Sequence, residues 1–222
     1  MSAMMVRRLQ ALSIAKRCVD LGARLSTIEQ LSGLPQPEFR HLAYPTRSTV
    51  PRGRTPSSVD WLHRRTTVLE QAAAAVVMSS YRRLREGGFP ASEALLGAYS
   101  HYTEVCDPPY RINLDRALDL ASHLDGIWLS RGRSLELIRC PACGSEHLAT
   151  LGSETRFGSD CPFCALIQRY RVDPRLRAHF PARPPLAASD FQIGVMSLMR
   201  SSPLHLQPEA HDEPSLPVAI CA

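Results

Sequence analysis

Two cysteine pairs, Cys140-Pro141-Ala142-Cys143 and Cys161-Pro162-Phe163-Cys164, have the residue types and spacing of a tetrathiolate metal site. Two residues between the thiols of a pair let it fold as a tight knuckle whose sulfurs point the same way. Seventeen residues separate the pairs, inside the window of about 15 to 20 expected for such a module. Gly144 follows the first pair and supplies the permissive backbone that a knuckle turn wants. Four thiolates complete a tetrahedral zinc shell and leave no position for water or substrate, so the expected cofactor is Zn2+ in a structural role. His147 could replace one thiolate, but the four cysteines suffice without it. A disulfide reading needs an oxidising compartment, and residues 1–8 lack the apolar core and small-residue cleavage site of a secretory signal. A redox CxxC would stand alone beside a βαβ pattern, and none is legible. Cys18 and Cys106 lie in helical apolar patterns and read as small core residues; Cys221 has no structural assignment.

The elements that must position these thiols are mainly helical. Residues 4–21 place Met5, Leu9, Leu12, Ala15 and Val19 on one helical face, with Gly22 as the stop. A long helix is expected over residues 60–86, with Trp61, Val68, Leu69, Ala72, Val76, Val77 and Leu84 as its buried stripe and Gly87-Gly88 ending it. Arg82, Arg83 and Arg85 fall in its last turn, where the macrodipole favours cations. Two more helices are expected over residues 91–106 and 113–129, separated by the breaker Asp107-Pro108-Pro109. The cysteine segment lacks helical period and suits short hairpins. Beyond it, seven prolines between residues 181 and 222 predict a disordered tail. The expected class is mainly α: a helical bundle with a helix-turn-helix-like segment plus a small C-terminal four-cysteine zinc-binding module. The expected division is a helical DNA- and partner-binding domain over residues 1–130, a zinc module with a basic extension over 131–180, and the Pro-rich tail over 181–222.

The helix-turn-helix expectation rests on the stretch from Thr27 to Leu42. Such a motif needs apolar residues on a short first helix, a glycine at the turn, and apolar residues on a second helix that pack back on the first. Ile28 and Leu31, Gly33 and Leu34, then Phe39 and Leu42 meet that spacing, and Pro37 falls in the first turn of the second helix. Glu29 departs from the pattern, which wants a small residue there. Gln36, Arg40 and His41 would point outward, towards bases or phosphates. The same spacing also fits a plain helical hairpin of the bundle. No acid occurs from Phe39 to Val59, while Arg40, Arg47, Arg52 and Arg54 run through a Pro-containing loop, as in a phosphate-tracking arm. A second basic cluster, Arg169, Arg171, Arg175 and Arg177, follows the second cysteine pair and could extend that surface.

Charge and motif content narrow the function classes. The formal charge of the 222 residues is +5, and the excess belongs to residues 1–180, which hold 24 Lys and Arg against 17 Asp and Glu. Lys16 is the only lysine, so nearly all fixed positive charge is arginine, whose planar fork suits phosphate and guanine edges. The longest apolar run, Ala72 to Met78, is far too short to span a bilayer, so a soluble, cytoplasmic protein is expected. Glu38-x-x-His41 and His101-x-x-Glu104 have the spacing of di-iron ligands, but the paired motifs and further glutamates of such a site are missing. With no phosphate loop, dinucleotide fingerprint or nucleophile elbow, no enzyme is expected.

Taken in order, Leu21-Gly-Ala-Arg-Leu25, the hairpin ending Leu31-Ser-Gly-Leu34, Pro51-Arg-Gly-Arg-Thr-Pro-Ser-Ser-Val-Asp-Trp61, the Ala-rich helix and the two CxxC pairs resemble the bacterial flagellar transcriptional activator family FlhC over residues 6–178. The resemblance implies a cytoplasmic activator that works in complex with a partner, FlhD, binds double-stranded DNA upstream of flagellar operons and recruits RNA polymerase. It also implies zinc on Cys140, Cys143, Cys161 and Cys164. Gln36, Arg40, Arg47, Arg52 and Arg54 are expected DNA contacts on spacing and charge alone. The alternative is a zinc-stabilised adaptor that binds only protein, its arginines meeting acidic partner surfaces.

Overall fold

The computed structural model of the chain describes residues 3–43, 59, 62, 68–152 and 161–179. Among them are eight helices and one two-stranded sheet. In order these are α1 (Ala3–Asp20), α2 (Leu25–Ser32), α3 (Gln36–Ala43), α4 (Val68–Glu86), α5 (Ala91–Val105), α6 (Leu114–Asp125), β1 (Leu135–Arg139), β2 (Glu146–Thr150), α7 (Pro162–Val172) and α8 (Pro174–His179). The expected class, mainly helical with a C-terminal group of four cysteines, is the one observed. The chain divides after Arg177 into two units, and the packing described here belongs to the first.

Helix α4 is the centre of this unit. Alanine is the strongest helix former, and Ala72 to Ala75 leave so little side chain that neighbours close in around most of the helix. All four are buried, with Val77, Met78 and Tyr81. Helices α5, α6 and α7 and both strands pack on it. Its end follows from Gly87-Gly88: Gly88 takes a left-handed φ of 86°, and the Phe89 amide reaches back to the Leu84 carbonyl at 3.1 Å. The expected start near residue 60 lies outside the described residues, as do Trp61 and the tail beyond residue 179.

Two expectations about helices need correction. The final helix of the bundle stops at Asp125, not at residue 129, because Gly126 turns left-handed at φ 71° and a Cβ there would stand 3.0 Å from the Arg133 amide nitrogen. In α1 the buried residues are Ile14, Ala15 and Cys18, while Leu12 and Val19 pack only in part and Met5 and Leu9 stay exposed. Helical period locates an apolar stripe; it does not say how far neighbours extend along it. Only the C-terminal half of α1 is covered by its neighbours, leaving Met4 82% exposed, with Val6 also open.

Among the described residues, one hydrophobic core draws on all of α1 to α6 and on Leu135 of β1, and three buried tyrosines bring their hydroxyls to partners. Tyr99 donates to the Ile112 carbonyl at 3.1 Å, Tyr81 donates to Asp125 Oδ2 at 2.7 Å, and the Tyr102 hydroxyl accepts from the Arg111 amide at 2.9 Å. A buried hydroxyl left unpaired would cost about 1–3 kcal/mol, so the Tyr99 and Tyr102 bonds fix how α5 meets the segment before α6, and the Tyr81 bond ties α4 to the end of α6.

Candidate metal centre and helical hairpin

The two cysteine pairs arrive on different kinds of element. The first is the turn of an antiparallel hairpin in which Leu135 faces Thr150, Leu137 faces Leu148 and Arg139 faces Glu146. Cys140 continues the ladder, its amide donating to the Ser145 carbonyl at 2.9 Å, and Gly144 closes the knuckle on the Cys140 carbonyl at 2.8 Å with φ 73°. The second pair is the start of α7: Cys161 is its N-cap and Pro162 its first residue, where a missing amide proton costs nothing. The expected hairpin setting therefore holds for Cys140 and Cys143 and is replaced by a helix start for Cys161 and Cys164. Composition hid this helix, because its exposed face mixes Ile167 and Val172 with arginine and blurs the period.

All four sulfurs lie within 4.8 Å of one another, with Cys140 Sγ 3.8 Å from Cys164 Sγ and Cys143 Sγ 3.6 Å from Cys161 Sγ. A tetrahedron with zinc–sulfur bonds of about 2.3 Å has edges of about 3.8 Å, so the cluster fits one such ion. The thiols differ in proton affinity. Hydrogen bonds from the Ser145 side chain and amide push Cys143 down to about 6. The hydrogen bond with Cys143 pushes Cys164 up to about 12, and burial raises Cys161. His147 is buried on β2 outside the sulfur cluster. Cys18 is a buried core thiol, pushed up to about 12 by burial, and Cys106 is half-buried.

Upstream, α2 and α3 form the expected pair of short helices joined by Gly33, which caps α2 at φ 70° with its amide on the Glu29 carbonyl at 2.9 Å. Ile28, Leu31, Leu34 and Phe39 are buried between the helices and the core. Glu29 is accommodated because its carboxylate accepts a hydrogen bond from Gln36 Nε2 at 3.0 Å. Asp115, at the first turn of α6, fixes the start of α2: its carboxylate accepts from the Arg24 amide at 3.0 Å, Arg24 Nη1 at 2.5 Å and Thr27 Oγ1 at 2.6 Å.

A sequence model described as the flagellar transcriptional activator FlhC matches residues 1–173, which take in both the α2–α3 pair and all four cysteines. The chain belongs to the FlhC family. Relatives named flagellar transcriptional regulator FlhC include one from Burkholderia lata, 33% identical over 162 residues, or 70% of each chain. Another, from Sodalis glossinidius, is 28% identical over 69% of this chain and 76% of its own. In this FlhC-family chain, Gln36 is half-buried and engaged with Glu29, and Arg40 is exposed on α3. Arg47, Arg52 and Arg54, with the side chains of His41 and Leu42, lie outside the described residues. Sequence reasoning missed the roles of Arg82 and Arg85. It assigned both to the α4 macrodipole; Arg82 pairs with Glu146 of β2 and donates to the Leu137 carbonyl at 3.3 Å, and Arg85 pairs with Asp125 at 3.2 Å. What separates Arg82 and Arg85 from their neighbour Arg83 is visible only once the partners are known. Among the described residues, no helix is long and apolar enough to cross a membrane.

Proposed function

We propose that this chain is the DNA-reading subunit of a cytoplasmic activator of flagellar operons, working with an FlhD-type partner subunit and recruiting RNA polymerase to the promoter. Family membership carries the reading, and the α2–α3 pair supplies its physical means. Burial of Ile28, Leu31, Leu34 and Phe39 fixes the two helices as one unit, so α3 can be presented to a groove without bending. Arg40 projects from it, and the acid-free run with Arg47, Arg52 and Arg54 would follow the phosphates beside it. Gln36 would exchange its bond to Glu29 for a base edge. Zinc on Cys140, Cys143, Cys161 and Cys164 is structural: four thiolates close its shell, so it supplies cross-linking and no chemistry on a substrate. The exposed apolar residues Met4, Met5, Val6 and Leu9 on the first turns of α1 leave room for a protein contact, and the partner subunit is the occupant proposed for it.

The test is fluorescence anisotropy of a labelled duplex from upstream of a flagellar operon against a scrambled one, with the chain co-purified with an FlhD-type partner. Tight, salt-sensitive preference for the operon duplex is expected. Substituting Arg40, Arg52 and Arg54 by Ala should weaken it and flatten the logarithmic salt slope by about 0.9 per lost phosphate contact. Equal, weak binding to both duplexes, with metal and partner present, would leave an adaptor that binds only protein.

A further inference from the structure

The helices that follow the second cysteine pair carry a basic surface that the α2–α3 reading does not use. Arg169 and Arg171 on α7 and Arg175 and Arg177 on α8 are all exposed. Asp173 is the acid between them, and it is turned onto the backbone: its amide closes α7 on the Arg169 carbonyl at 2.8 Å, and its Oδ1 accepts the Arg175 amide at 2.9 Å. Arg169 and Arg171 close α7 and Arg175 and Arg177 lie on α8, with the extended Asp173 joining the two short helices. An interface with protein would be expected to centre on an aromatic anchor with charge at its rim. Here four arginines share the exposed face with the aliphatic Ile167 and Val172, and the aromatic Tyr170 is half-buried, so no exposed aromatic anchor stands among them. Exposed positive charge carried wholly by arginine on helical backbone is the chemistry of phosphate contact.

The position of that surface is tied to the metal centre. Among the described residues of α7, Pro162 is the one fully buried, and Phe163, Ala165, Leu166 and Tyr170 are half-buried in a helix that packs on α4. Its first turn holds Cys161 and Cys164, 3.6 and 3.8 Å from the sulfurs of the hairpin knuckle. A metal bound by all four would lock the start of α7 to β1 and β2, which Arg82 in turn holds to α4 through Glu146. We infer that α7–α8 is a second contact to the phosphate backbone of double-stranded DNA, set in place by the metal. This rests on the DNA-binding reading above.

The experiment uses the full chain with its partner subunit and compares wild type with R169Q/R171Q/R175Q/R177Q. The variant should keep its metal content and circular dichroism. It should lose affinity for operon and scrambled duplexes by the same factor, so that their ratio is unchanged, and its logarithmic salt slope should flatten by up to about 3.6, at about 0.9 per contact. Removal of the metal with a chelator should strip hydrogen-exchange protection from α7 while α4, α5 and α6 keep theirs. If wild type discriminates operon DNA and the variant matches it in affinity and slope, the α7–α8 contact is wrong while the α2–α3 reading stands. Loss of binding to an acidic protein partner with DNA affinity intact would assign the surface to protein instead. Wild type with no affinity for either duplex would remove both readings, and α7 protection that survives chelation would overturn the role of the metal.

Discussion

Asp115 is the residue on which the placement of the α2–α3 pair is most exposed to test. It is 2% accessible, and its carboxylate takes three hydrogen bonds from the start of α2, one of them from a guanidinium whose side chain is itself 19% exposed. Asp115→Ala leaves the Arg24 charge and the buried Thr27 hydroxyl without their partner. Removal of one member of a buried pair costs about 3–5 kcal/mol, against a total stability of about 5–15 kcal/mol. For a unit of this size the unfolding midpoint should fall by about 6–20 °C, at about 2–4 °C per kcal/mol. Asp115→Asn keeps an oxygen for the Arg24 amide and Thr27 while losing the charge, so its cost should be smaller, about 1.5–3 kcal/mol. Replacing both partners, Arg24→Met with Asp115→Leu, should recover most of the loss, because neither charge is then buried alone. Urea unfolding of the four proteins gives the energies, and hydrogen exchange should show α2 losing protection before α4 in Asp115→Ala. An Asp115→Ala protein within about 1 kcal/mol of wild type would refute the argument that this carboxylate anchors the hairpin.

Two further outcomes follow from the geometry. Gly33→Ala should cost about 1–2 kcal/mol in urea unfolding, a purely backbone penalty, because φ is 70° and no atom lies within 4 Å of the added Cβ; a neutral result would mean that the turn is not left-handed in solution. Metal affinity should fall with acid: at pH 7 to 8 Cys143, pushed down to about 6, is already a thiolate, whereas the raised Cys161 and Cys164 must each release a proton on binding. At least two protons released give at least about a hundredfold loss per pH unit on lowering pH, measurable by chelator competition, and release of fewer than one proton would contradict the assignment.

Local rules carried most of this fold into the sequence. Gly33, Gly87-Gly88 and Asp107-Pro108-Pro109 mark real boundaries because left-handed turns and missing amide donors act within a few residues. The cysteine spacing likewise encodes the four-thiol cluster, since each knuckle is closed by its own backbone. What stayed hidden depends on partners distant in the chain. The stop of α6 at Gly126 comes from the approach of residues 132 and 133, and the open end of α1 from the limited reach of its neighbours. The helix after Cys161 was masked by its exposed apolar and basic residues, since a helix held by its ends needs no continuous apolar stripe.

The long-range partners that the sequence concealed also connect the two candidate functional regions. Within about one turn at the end of α4, Arg82 reaches β2 through Glu146, while Tyr81 and Arg85 both reach Asp125 at the end of α6. The opposite end of α6 presents Asp115 to Arg24 and Thr27 at the start of α2. A stiff helix of twelve residues therefore stands between the support of the metal hairpin and the support of the helical pair. Each junction is a charge-assisted or buried hydrogen bond, directional where apolar packing is not, so it fixes orientation as well as proximity. On the proposed reading, in which α3 and α7 would meet a rigid duplex at two places, their separation is set by the protein before the nucleic acid arrives. Apolar residues at these junctions would preserve the core and lose that setting.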